Sequence, residues 1–199
     1  MCELGYMDIP GLYIRNGVSK INGVDFDDIT DWGGTFIEDA RKSLVKLKSG
    51  KNNRGKILVE GVSDLLVKAK RQVTIEPSTE FGGQGGSGWD EKTLVIRWCA
   101  TAQESTTEDW DQLRGIPPFI ILGHELIHAL HTLTASTNYG HDRLTNNAIE
   151  ETRTIGLGPW KDDSLTENGL RSEWGLKPRE TFQGVGASKL LTGTKYLNL

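Results

Sequence analysis

Two histidines four residues apart, with a glutamate directly after the first, stand in the stretch PPFIILGHELIHALHTL at residues 117–133. A helix advances about 100° per residue, so on a helix His124 and His128 lie about 40° apart and one turn along the axis. Both imidazoles then reach one zinc ion at about 2.0–2.1 Å. Glu125 points about 100° round the helix, off the ligand line but beside it, where a general base for water activated by zinc belongs. The competing reading is a pair of core histidines that happen to fit a short pattern. A third ligand decides between them.

A metzincin would carry its third histidine six positions after the second, with glycine three after; here those positions hold Thr134 and His131, which excludes that class. A gluzincin takes a glutamate from a following helix, and TNNAIEETRTIGLGP at 145–159 offers one. Thr145 can cap that helix, while Gly156, Gly158 and Pro159 end it. Ala148 and Ile155 mark its inner face and Glu151 falls between them, where a carboxylate is costly unless paired or metal-bound. Glu151 is therefore the expected third ligand. Glu150, turned about 100° away, suits a contact behind the ligands. Read as local chemistry alone, the two glutamates are a solvated pair bridging Arg153. His131, one turn beyond His128, either backs the site or is a packed or half-exposed histidine.

The elements that must position these residues show in the periodicity. TFIEDARKSLVKLKSG reads as an amphipathic helix, with Thr35 and Glu38 as a capping box, apolar Phe36, Ala40, Leu44 and Leu47, and Gly50 as the stop. GKILVEGVSDLLVKAK at 55–70 reads as a second helix with Gly61 its weak point. RQVTIEP and KTLVIRW read as strands, at 72–76 and 93–98, joined by the glycine-rich hairpin loop FGGQGGSGWD. That loop contains Gly83-x-Gly85-x-x-Gly88, but a strand rather than a helix N-terminus follows, so nucleotide binding is rejected. Pro117 and Pro118 suit the first turn of the histidine helix, which runs from Phe119 to Leu133 with Gly123 inside it. Trp98, Trp160 and Trp174 are expected core anchors, and Cys99 a buried small hydrophobe.

With 199 residues, the chain has the length of one core-bearing domain, and 36% apolar content is that of a globular protein. A formal net charge of −4 argues against a nucleic-acid partner. Residues 41–71 nevertheless carry ten lysines and arginines against Glu60 and Asp64. Solvated helix faces account for such a run, with an acidic or phosphorylated partner surface as the alternative. Two cysteines, Cys2 and Cys99, make neither a disulfide framework nor a Cys-x-x-Cys pair. The N-terminus has no charged start followed by an apolar core, so no Sec signal peptide is expected, and no apolar run approaches the ~20 residues a membrane span needs.

HELIHALH followed by AIEETRTIG resembles the HELIH…EELRT pattern of the clostridial neurotoxin light chains, and more closely the short NleD-like effector zinc proteases that bacteria inject into host cells. The resemblance is strong over 118–156, weaker through TENGLRSEWGLKPRETF at 166–182, and slight before residue 70. It implies one catalytic zinc held by His124, His128 and Glu151, with Glu125 activating the water. It places Arg179 near the oxyanion, from the family's Arg-x-x-Tyr element. The chain departs from that element, since Phe182 stands where the tyrosine belongs; either Arg179 acts alone, or Tyr139 or Tyr196 supplies the donor, or turnover is slow.

The expected fold is a single zincin-like α+β domain over 1–199, with its active-site core at 117–156. A small mixed sheet packs on the histidine helix, and a smaller helical part at 157–199 follows. Residues 93–98 are the expected sheet edge for substrate. The expected function is a zinc endopeptidase, a monomeric type III or toxin-like virulence effector that is secreted and cleaves a host signalling protein in the host cytoplasm. A zinc-loaded capture module and a small-molecule metallohydrolase are the alternatives.

Overall fold

In the computed structural model, residues 5–15, 35–78, 87–99, 116–134, 143–182 and 185–186 are described. The chain starts with two strands the periodicity reading passed over, β1 (Gly5–Ile9) and β2 (Leu12–Arg15), antiparallel across a Pro10-Gly11 turn. Gly11 sits at φ +81 with its backbone against Leu66, a spot a Cβ would reach at 2.6 Å. Helices α1 (Thr35–Lys48) and α2 (Arg54–Ala69) follow, and α2 runs through Gly61 without a break. Strand β3 (Val73–Pro77), the short β4 (Gly88–Asp90) and β5 (Val95–Trp98) complete a sheet in the order β1-β2-β3-β5-β4. The sheet is mixed: β2, β3 and β5 are mutually parallel, and the outer pairs are antiparallel.

The strand order overturns two expectations. The loop at 81–90 does not join an antiparallel hairpin of β3 and β5, which are parallel neighbours. Its last residues instead form β4, which turns through the positive-φ residue Leu94 and pairs with β5. Residues 93–98 therefore lie inside the sheet, between β3 and β4, and the strand at that edge is β4. The glycines Gly83 and Gly85 lie outside the described residues.

Alternation along the strands puts Leu12, Ile14, Val73, Ile75, Ile96 and Trp98 on one face, where they form one core with α1 and α2. On the other face Glu76 is fully buried yet paired, with Arg15 from β2 and with Arg97 Nε at 3.4 Å. The histidine helix α3 (Pro118–Thr134) crosses the core against α1 and α2, burying Ile120, Leu122, Leu126 and Ile127. Each such side chain contributes about 1.5–3 kcal/mol. Indole groups from the sheet hold both ends of this helix. Trp98 Nε1 donates to the Pro118 carbonyl at 3.1 Å, and Trp89 Nε1 to Thr132 Oγ1 at 3.0 Å. Gly123 lets the helix approach its neighbours, since a Cβ there would meet Leu170 at 2.6 Å and Leu47 at 3.2 Å.

Helix α4 (Arg143–Ile155) ends at Gly156, φ +84, where the Gly156 and Leu157 amides close back on the Thr152 carbonyl. A 3-10 turn at Gly158–Trp160 leads to helix α5 (Glu167–Glu173), whose N-cap Thr166 accepts from the Gly169 amide. A two-stranded pair, β6 (Thr181–Phe182) and β7 (Val185–Gly186), follows, so the described residues after 157 include strands as well as helix. Trp98 is a core anchor, and Trp174 packs edge-on against Phe119 at 5.0 Å, but Trp160 and Cys99 are only half-buried. Within the basic run, Arg41 and Lys42 pair with Glu38, and Lys48 with Glu60. Lys46 lies over the Trp174 ring, and Arg54 Nη1 donates to the Gly169 carbonyl. No helix among the described residues is long and apolar enough to cross a membrane.

Gly156→Ala would force a Cβ into the left-handed region and against Thr166, at 2.7–3.0 Å. A loss of about 1–3 kcal/mol is expected. Gly61→Ala, where nothing lies within 4 Å, should instead gain about 0.5–1 kcal/mol. Denaturant unfolding of both variants checks the pair, and an equal effect at the two sites would contradict this account of the turn.

Candidate metal centre

Helical spacing brings the two imidazoles of α3 together, with their Nε2 atoms 3.1 Å apart. From α4, Glu151 presents Oε2 3.4 Å from His124 Nε2 and Oε1 3.4 Å from His128 Nε2. Two imidazole nitrogens at that separation cannot both carry a hydrogen toward each other; they need a shared proton or a shared cation. Ligands placed tetrahedrally about zinc at about 2.0–2.1 Å stand about 3.3–3.4 Å from one another. The observed spacings suit three corners of such a set. His124, His128 and Glu151 thus fit a zinc ion both in donor chemistry and in spacing.

Behind each imidazole stands a carboxylate. His128 Nδ1 lies 3.0 Å from Glu150 Oε1, and His124 Nδ1 lies 2.8 Å from Glu167 Oε2. A carboxylate at Nδ1 keeps the hydrogen there and leaves the Nε2 lone pair for a metal. Glu167 is held in turn by Arg171, whose Nε donates to Oε1 at 2.7 Å, and by Arg179, whose Nη1 lies 3.3 Å from Oε2. Glu150 Oε1 also meets His131 Nδ1 at 2.7 Å and the Thr154 hydroxyl at 3.2 Å.

Burial pulls the His124 pKa down, but hydrogen bonds to Glu151 and Glu167 outweigh it and push the pKa up to about 9. His128 rises well above the ordinary histidine value, against burial, through Glu150 and Glu151. Burial likewise opposes ionisation of Glu150, Glu151 and Glu167, yet their histidine partners hold all three well below the usual carboxylate range. The cluster is built around positive charge at the Nε2 pair. Glu125 differs. It is buried at 5% exposure, and burial pushes its carboxyl up despite the pull of His124 and His128. A carboxylate so placed is a better base than one in water.

The structure therefore gathers His124, Glu125, His128, His131, Glu150 and Glu151 between α3 and α4. It places Arg179 on Glu167, with its Nε donating to the Thr181 carbonyl at 3.1 Å and its backbone locked to the Asn168 side chain. Phe182 is half-buried on β6, which packs on α4; Tyr139 and Tyr196 lie outside the described residues. Ile149, Glu150 and Thr152 are buried on α4, whereas Ala148, expected on the inner face, is half-buried. Sequence reasoning passed over Glu167, Arg171 and Thr154. A signal existed for the first two: Glu167 and Arg171 form an i,i+4 pair on the same stripe as Leu170, and opposite charges on an apolar stripe point to a buried pair.

The family model Peptidase_M91, described as an effector protein, matches residues 30–182 of the chain. No curated protein and no solved structure matches it.

Glu151→Ala is expected to bring bound zinc well below the about one equivalent of a single-site protein, and Glu167→Gln to weaken affinity by about 10–100-fold. Elemental analysis and chelator competition check both. Undiminished zinc in Glu151→Ala would remove Glu151 from the ligand set.

Proposed function

The chain belongs to this NleD-like family of effector peptidases, and on that premise we propose that it is a zinc-dependent endopeptidase of the gluzincin type, forming one catalytic domain over 1–199 and delivered into a host cell to cleave a host protein there. The observation that carries the reading is the convergence of His124 Nε2, His128 Nε2 and the Glu151 carboxylate within 3.1–3.4 Å, with a buried glutamate directly after the first ligand. A protein that needed these histidines only for packing would not aim two lone pairs and a carboxylate at one point, since the arrangement is repulsive without a cation or proton between them.

When bound, a zinc ion supplies Lewis acidity, acidifying a water and polarising the scissile carbonyl. In the loaded site His124 and His128 would present their Nε2 lone pairs in place of the proton that the cluster favours without metal, with their Nδ1 hydrogens held by Glu167 and Glu150. Glu125 takes the proton of the attacking water onto a carboxylate oxygen and returns it to the leaving amide nitrogen. Its burial raises its basicity for the first transfer, and the leaving amide nitrogen, more basic than any carboxylate, accepts the proton in the second. Arg179 is read as the oxyanion-side cation, its guanidinium anchored by Glu167 and the Thr181 carbonyl. Phe182 has no hydroxyl to donate, so the second donor of the related element is not supplied from that position.

Glu125→Gln is expected to keep zinc but lower kcat about 10²–10⁴-fold. Cleavage of a candidate substrate alongside zinc stoichiometry checks this, and full activity would end the base assignment. Arg179→Met should lower kcat about 10²–10³-fold with KM little changed. An unaltered kcat would take Arg179 out of the reaction.

A further inference from the structure

The two imidazole ligands are supported by different chemistry. Glu167, behind His124, is held by the guanidinium groups of Arg171 and Arg179. Glu150, behind His128, is met at the same oxygen, Oε1, by a second imidazole and a hydroxyl. The His131 Nδ1 contact, at 2.7 Å, is shorter than the 3.0 Å contact of His128 itself and the 3.2 Å contact of Thr154. Thr154 Oγ1 also lies 3.2 Å from His128 Nδ1, so three groups crowd one oxygen. All four residues are buried: His128, His131 and Glu150 at 7–8% exposure and Thr154 at zero.

We propose that His131 is a positioning residue of the metal centre, whose Nδ1–H fixes Glu150 Oε1 and through that oxygen holds the His128 ring with Nδ1 protonated and Nε2 directed at the ion. A packing role would need only an apolar residue one turn beyond His128. A buried imidazole in that place is costly unless bonded, and its bond runs to the carboxylate that orients a ligand. Glu150 sits on another helix, so its carboxylate can turn away from His128 when one donor is lost. His131 and His128, both carried by α3, reach it from successive turns and hold it in one orientation. Thr154, four residues on from Glu150 along α4, closes the arrangement from the other side.

The inference rests on the zinc site proposed above, and the test separates the two. Zinc affinity is measured by chelator competition, and the visible spectrum recorded with cobalt in place of zinc, for wild type, His131→Phe, His131→Asn and Glu150→Gln. A fall in affinity of about 10–100-fold is expected for His131→Phe, with a shifted cobalt spectrum. His131→Asn, whose amide nitrogen stands close to where Nδ1 stood, should recover most of it. In the Glu150→Gln background His131→Phe should add little, because both act through the same oxygen. Wild-type affinity and spectrum in His131→Phe, or an undiminished loss in the Glu150→Gln background, would overturn the proposal. If the phenylalanine variant does not fold, His131→Asn is compared with His131→Gln, whose amide reaches toward the Nε2 position instead. Equal losses overturn it, and a clear advantage for asparagine supports it. Wild type that binds neither zinc nor cobalt overturns both this inference and the zinc site itself.

Discussion

Four glutamates, Glu125, Glu150, Glu151 and Glu167, are buried or nearly so within one cluster, and a buried carboxylate is tolerated only when its charge is answered. Three of them are answered by histidine. That mutual dependence is the constraint from which the rest of the site follows: the imidazoles need carboxylates at Nδ1 to aim Nε2, and the carboxylates need imidazoles, arginines and hydroxyls to remain ionised away from water. Helix α5 joins this economy through its first residue. Glu167 stands at a capped helix N-terminus, where the backbone dipole favours a negative charge, and Arg171 and Arg179 complete its surroundings. The sharp turn at Gly156 brings α5 back to α3, where Glu167 meets His124.

Such a cluster is useful only if the helix that carries the histidines does not shift. Helix α3 is held along its length by Ile120, Leu122, Leu126 and Ile127, and at its two ends by the indoles of Trp98 and Trp89. Gly123, which would weaken an isolated helix, serves a packing purpose here: it lets Leu170 and Leu47 touch the backbone one residue before His124. α1 and α5 thereby pack against α3 beside the site.

On the sheet, β4 occupies the edge that β5 would otherwise present. Strand β5 has apolar residues on both faces, Val95 on one and Ile96 and Trp98 on the other, and a strand buried on both faces belongs inside a sheet. Strand β4, three half-buried residues long, suits an edge position, where long exposed ladders invite unwanted pairing. Its contact with α3 through Trp89 ties the edge of the sheet to the helix of His124 and His128.

Local pattern was enough for α1, α2 and α3, whose apolar spacing and stop residues put them within two residues of their observed bounds, and for β3 and β5; α4 was found with its end right, but it starts at Arg143, so Thr145 lies within the helix rather than capping it. The hairpin of β1 and β2 went unread: the Pro-Gly turn between GYMDI and LYIR is its one signal, because strands this short carry few alternations. Spacing alone placed His124 and His128 on one helix face, since residues four apart share a face in any helix. What no local pattern could decide was partnership across the fold. That Glu150 meets both His128 and His131, that Glu167 stands behind His124, and that Arg179 rests on Glu167 depend on how α4, α5 and the residues after them close on α3. Those contacts span 12 to 43 positions of sequence, too far for periodicity to report, and are set by side-chain packing and charge compensation in the interior. The same limit explains the mistaken edge: strand order is a matter of which faces can be buried together, and only the assembled core determines that.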